Sequence, residues 1–136
     1  MAFSVEFKSS MEGNDYEKAM SWAIERALVK AGVTIESAAV TNIDTMGAVD
    51  TGRLKGSIAY ATLTRRGRAG GKDSVNKPTA KNVVHIGTNV EYAEHVEYGT
   101  RRMMARPFLR QALKHNRRKI LETFQKWVEE GLRRGK

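Results

Sequence analysis

Residues 89–109 read NVEYAEHVEYGTRRMMARPFL, and their order of signals decides the fold. Tyr92, Ala93 and Val96 recur at helical spacing while Glu91, Glu94 and Glu97 turn the other way, which predicts a short amphipathic helix. Gly99 stops it, because glycine takes the left-handed conformation that closes a helix at little cost. Tyr98-Gly99-Thr100 then fixes a chain reversal, and Pro107-Phe108 opens a second helix, whose first turn does not need the missing proline N–H. Short helix, stop, turn, long helix is therefore the frame to which the rest of the chain attaches.

Downstream, the second helix is predicted from Pro107 to about Arg133. Its apolar stripe runs through Leu109, Ala112, Leu113, Ile120, Leu121, Phe124, Trp127, Val128 and Leu132, with residues 131–136 expected to fray. Upstream, residues 83–87 (VVHIG) read as a strand, and residues 58–64 alternate as another. The two are expected to pair antiparallel as a hairpin. Residues 65–82 between them hold four Gly or Pro breakers and no apolar period, so they read as a long mobile basic loop. Residues 2–8 alternate Phe3, Val5 and Phe7 against polar neighbours, which is a half-buried strand. From Tyr16 to about Ile43 an Ala-rich helical stripe follows, with Asn14 or Asp15 as its cap and Gly32 as a point where it can bend. The expected fold is a single α+β domain over 1–136: a small, mostly antiparallel sheet packed against two long helices.

Composition narrows the function. The chain has 136 residues, no cysteine and a net charge of +9. Disulfide and thiolate chemistry are thereby excluded, and no secretory signal or bilayer-spanning run is expected. Charge is unevenly placed. Residues 65–82 hold six Lys/Arg against one Asp, residues 83–100 three Glu and no Lys/Arg, and residues 101–136 twelve Lys/Arg against three Glu. A basic loop and a basic helix suit contact with a polyanion or an acidic partner, or simply a solvated face.

Nothing supports catalysis. His85, His95 and His115 lack metal-motif spacing, and no nucleophile elbow or phosphate loop is present. No metal and no cofactor is expected. Asp50-Thr51-Gly52-Arg53-Leu54 has two readings: a Thr-capped helical turn, or an arginine presented to a neighbouring subunit or a phosphate.

Asp50-Thr51-Gly52-Arg53-Leu54, Ser57-Ile58, Tyr92-Ala93, Val96-Glu97-Tyr98-Gly99-Thr100 and Arg106-Pro107-Phe108-Leu109 follow one another in an order that resembles small neck and tail-completion proteins of long-tailed bacteriophages and prophages. The resemblance implies a structural protein of the virion tail or neck, made in the bacterial host cytoplasm. It implies head–tail joining, a homo-oligomeric ring, six-fold, around the DNA channel, and neighbouring neck and tail proteins as partners. Non-specific DNA contact is compatible with it; a membrane is not implied. On that basis Glu91, Glu94, Glu97, Arg110 and Arg117 are candidate subunit-interface residues, and Arg65, Arg66, Arg68 and Lys72 are candidates for contact with DNA or a partner. The alternative is a small histone-like DNA-bending protein, which would also be basic and carry a mobile arm after a strand.

Overall fold

The computed structural model describes residues 1–6, 14–46, 51–67 and 73–134. Its elements are β1 (Ala2–Glu6), α1 (Asn14–Met46), α2 (Thr51–Ser57), β2 (Ala59–Ala61), β3 (Val83–Gly87), α3 (Ala93–Tyr98) and α4 (Phe108–Arg134). Three antiparallel strands in the order β1-β3-β2 form one sheet. With two long helices beside it, the architecture is the expected α+β one. The β2–β3 pairing is also as expected, in the register Ala59↔Gly87 to Ala61↔His85. β1 adds to the other side of β3, with Phe3 opposite Ile86 and Val5 opposite Val84.

Helix α1 runs for 33 residues and buries Met20, Ala23, Ile24, Ala27, Leu28, Ala31, Ile35, Ala39 and Ile43, the three- and four-residue steps of one helical face. It passes through Gly32 without a break. The glycine serves the packing instead: a Cβ there would lie 2.6 Å from Cγ of Tyr60, so only glycine lets β2 come this close.

α1 and α4 are antiparallel and packed along their length. At one end Asn42 Nδ2 donates to the carbonyl of Phe108 at 3.0 Å. At the other, Gly131 is buried against Ala23, where a Cβ would approach to 2.8 Å. Small residues on facing helices allow this approach. Near the same end the rings of Trp22 and Trp127 meet edge to face at 5.4 Å, and the guanidinium of Arg134 lies 3.9 Å from the Trp22 ring. The segment expected to fray from residue 131 is therefore helical to Arg134, held by that packing. Leu121, placed on the apolar stripe by spacing, is 61% exposed, while Ile120 and Phe124 carry the core contact. Phe108, at the start of α4, is fully buried in the core. Truncating so large a core side chain costs about 3–5 kcal/mol.

One expectation about the hairpin changes. The strand expected over 58–64 is only three residues long. Thr62 closes a turn with Arg65, donating N–H to the Arg65 carbonyl at 2.7 Å, and the hydroxyls of Thr62 and Thr64 both donate to Glu25 Oε1. The described parts of the 65–82 loop are also tied to the body. Val75 and Ser74 are buried, Asn89 Nδ2 donates to the Ser74 carbonyl at 2.7 Å, and His85 Nδ1 lies 3.0 Å from the Asn76 carbonyl. Residues 68–72 lie outside the described residues, as do Phe7 and Lys8 of the first predicted strand and the side chains of Asn14 and Asp15, the candidate caps.

Candidate functional site

The reversal from α3 to α4 is built around a carboxylate. Gly99 has φ 78° and ψ 174°. The positive φ was expected, but the ψ is extended rather than left-handed helical, a combination open essentially to glycine alone. A Cβ there would also lie 2.7 Å from the Ala105 nitrogen. Thr100 Oγ1 accepts from the N–H groups of Arg102 and Met103, and Arg106 donates N–H to the Val96 carbonyl at 2.7 Å. The link is thereby drawn back along α3.

This fold-back corrects the placement of Glu97. Expected on the polar side of its helix, it is 0% exposed. Its carboxylate accepts from Leu109 N at 3.0 Å, Arg110 N at 2.8 Å and Arg110 Nε at 3.1 Å, and Arg110 Nη2 donates to the Glu97 carbonyl at 3.0 Å. The physical reason lies at the start of α4. Its first N–H groups have no intrahelical acceptor, and Pro107 offers no side-chain oxygen to cap them. A carboxylate twelve residues upstream of Leu109 takes that role and meets the positive end of the helix dipole. The Arg110 guanidinium is further stacked 4.6 Å from the Tyr98 ring. Glu97 is thus enclosed and spent within the chain, while Arg110, tied to it, keeps a side chain that is 45% exposed beside a groove between β1 and α4.

Arg53 forms a second clasp. Its Nε and Nη2 donate to Asp73, and its Nη1 and Nη2 donate to Glu91, at 2.8–3.0 Å. The guanidinium lies 5.9 Å from the Tyr92 ring. Its pKa is raised by the hydrogen bonds to Asp73 and Glu91, and the Glu91 carboxyl is held below the ordinary carboxylate range by Arg53. The clasp joins α2, the base of the loop and the start of α3, so Arg53 and Glu91 are also occupied at home. α2 itself, running from Thr51, is the short turn expected of this motif. Gly52 is exposed; Asp50 and the side chain of Thr51 lie outside the described residues. Ser57 Oγ and Thr88 Oγ1 share a buried 2.6 Å hydrogen bond beneath the clasp.

Of the loop cations, Arg65 and Arg66 are both exposed, and Arg66 Nη1 donates to Ser74 Oγ at 2.8 Å and the Val75 carbonyl at 2.6 Å. Arg68 and Lys72 lie outside the described residues. Glu94 and Arg117 are exposed, and neither has an ion-pair partner among the described residues. The same holds for Arg101, Arg102, Lys114 and Lys119. Between β1 and the first half of α4 lies a groove of about 510 Å³ with Phe3, Pro107 and Leu113 as its apolar lining and Arg110, Gln111, Lys114 and Arg117 around them. Among the described residues no group of three His, Cys, Asp or Glu side chains could hold a metal ion, and no helix is long and apolar enough to cross a membrane.

The described residues thus form a small α+β chain held by internal clasps, with exposed cations along the link and the first half of α4. Against known families, it matches the model described as "Bacteriophage HK97-gp10, putative tail-component" over residues 11–99, more than half of the chain. The chain belongs to this family: it is a phage tail component, a structural protein of the virion whose partners are other tail proteins. No curated protein and no solved structure matches it. The family match spans Asp50–Arg53, Tyr92, Glu97 and Gly99 and ends before Pro107-Phe108.

Proposed function

We propose that this tail component completes the top of the tail and acts in joining it to the DNA-filled head, as a ring in the neck around the DNA channel. It works by surface complementarity, without turnover. The observation that carries this reading is the exposed basic surface of a tail-family chain. Arg101, Arg102, Lys114, Arg117 and Lys119 line the link and the first half of α4 with no carboxylate of the described chain to neutralise them. Such a surface suits an acidic protein neighbour and passing DNA alike. Repeated around a ring, a head-to-tail contact between unlike patches closes the assembly, and Glu94 and Arg117 are the pair still available for it.

A phage carrying a deletion of this gene tests the role. Electron microscopy of lysates is expected to find filled heads and complete but unattached tails, with joined particles restored by the gene in trans. Joined, infectious particles at normal yield from the deletion would remove the reading. DNA that merely passes by requires duplex binding that is weak, salt-sensitive and indifferent to sequence. Tight binding near physiological salt, with bending of a labelled duplex, would favour the histone-like alternative instead.

A further inference from the structure

The two edges of the sheet are in different states. On the β2 side the edge is closed. Tyr60 sends its N–H to Glu36 Oε2 at 3.1 Å, and its carbonyl receives the N–H of Gly67 at 2.8 Å. On the β1 side the described residues leave it open. Met1 exchanges both bonds with Thr88: its amino group donates to the Thr88 carbonyl at 2.9 Å, and Thr88 N–H donates to the Met1 carbonyl at 3.0 Å. In an antiparallel ladder bonded pairs alternate, so Phe3 and Val5 spend their backbone groups on Ile86 and Val84. Ala2, Ser4 and Glu6 turn their N–H and C=O groups outward, where no backbone partner meets them among the described residues.

The groove of about 510 Å³ flanks this same edge. Its lining comes from β1 and from residues 107–117, with none from β3, and it holds three cationic side chains and no carboxylate. An open strand edge beside a basic, apolar-floored groove has one kind of fitting occupant. We propose that β1 and the first half of α4 dock an extended acidic segment of another tail protein, which adds to the sheet as a fourth strand. Its backbone would bond to Ala2, Ser4 and Glu6. Alternate side chains on one of its faces would lie over Phe3 and Leu113, with a carboxylate reaching Lys114. Among its described residues this chain has no acidic extended segment to offer a second copy: the acidic stretch around α3 is helical, and Glu91 and Glu97 are engaged. Duplex DNA has cations to use here but no use for a row of peptide groups. The proposal rests on the tail-component role and names the partner for it.

The test uses the purified full chain and a capped peptide of alternating Glu and Val, followed by calorimetry and by amide hydrogen exchange at Ala2, Ser4 and Glu6. Saturable binding with slowed exchange at these amides is expected, and the matching Lys–Val peptide should bind at least about ten-fold more weakly. Ser4→Pro removes only an outward donor, so the ladder to β3 stays while peptide binding is lost. Lys114→Glu, away from the strand, should weaken binding by about ten-fold or more with the fold unchanged. No saturable binding, or unchanged binding in both variants, would overturn the proposal. So would equal binding of the Lys–Val peptide, a short duplex that competes fully, or a chain that dimerises through β1. The outcome is independent of the deletion phenotype: a failed peptide titration beside unattached heads and tails removes the docking site and leaves the head–tail role.

Discussion

Two arginine–carboxylate clasps hold this molecule, and they work in different ways. At the start of α4, Glu97 is wholly buried and binds two backbone N–H groups besides the Arg110 side chain. At α2, Arg53 lies on the surface between Asp73 and Glu91, with all of its bonds to other side chains. Surface pairs exchange one hydrated arrangement for another and gain little net stability. A buried carboxylate at a helix start leaves unsatisfied donors behind when it is removed. The lesson is that the number of ion pairs matters less than what the carboxylate would leave stranded.

The largest expected effect follows from that difference. Glu97→Ala should destabilise the chain by about 2–3 kcal/mol, from a lost helix cap and orphaned N–H groups at Leu109 and Arg110. Urea unfolding followed by circular dichroism measures it, and Glu97→Gln, which keeps one acceptor, should fall between the two. A Glu97→Ala midpoint equal to wild type would break the comparison. Reversal to Lys at this position is not the harmless surface change that a polar-face Glu97 would have allowed.

Next comes Gly99→Ala. It forces a side chain into a backbone region almost reserved for glycine, against Ala105, for about 1–3 kcal/mol. Because Gly99 sets the reversal that delivers Glu97 to α4, the double variant should lose less than the two single losses together. Full additivity would mean that the turn and the carboxylate act separately.

Arg53→Ala should change stability at neutral pH much less than either. Its signature is the pH profile. The folded-state pKa of Glu91 is depressed by Arg53, so its contribution is present above the ordinary carboxylate range and is lost as pH falls through the folded value. Wild type should therefore lose stability on acidification below about pH 4.5, and Arg53→Ala should lose less over the same window. Added salt should likewise narrow the gap between the two proteins. Parallel profiles would remove Arg53 as the cause.

Smallest on the monomer, and aimed at assembly, is Glu94→Lys. With no partner among the described residues, it should leave the unfolding midpoint unchanged. Under the ring proposal it should lower the yield of joined particles, and Arg117→Glu in the same chain should restore it.

These contrasts also mark what the sequence could reveal. Apolar spacing placed α1 and α4 through their long buried faces, and alternation in the sequence placed the β2–β3 pairing, although all three residues of β2 are buried. Glu97 escaped the same logic. A helix of six residues is too short for its period to assign a face, and the partner of this carboxylate is a helix terminus, which charge patterning does not register. One signal was available: Pro107-Phe108 starts a long helix with no capping side chain before it, so a cap had to come from elsewhere. The loop was hidden in a similar way. Its glycines and cations dominate the composition, while Val75 and the bonds from Arg66 pin it. The β1 edge was legible as a strand, but its neighbour, and therefore its open side, required the register.

Both tryptophans of the chain stand in one contact, Trp22 against Trp127. They come from helices at nearly opposite ends of the sequence, so they meet only after almost the whole chain has been gathered. Intrinsic fluorescence in this protein is therefore a report on long-range closure. In a refolding experiment the emission change should follow the slow, topology-limited step, while the far-ultraviolet helix signal can rise ahead of it as α1 and α4 form locally.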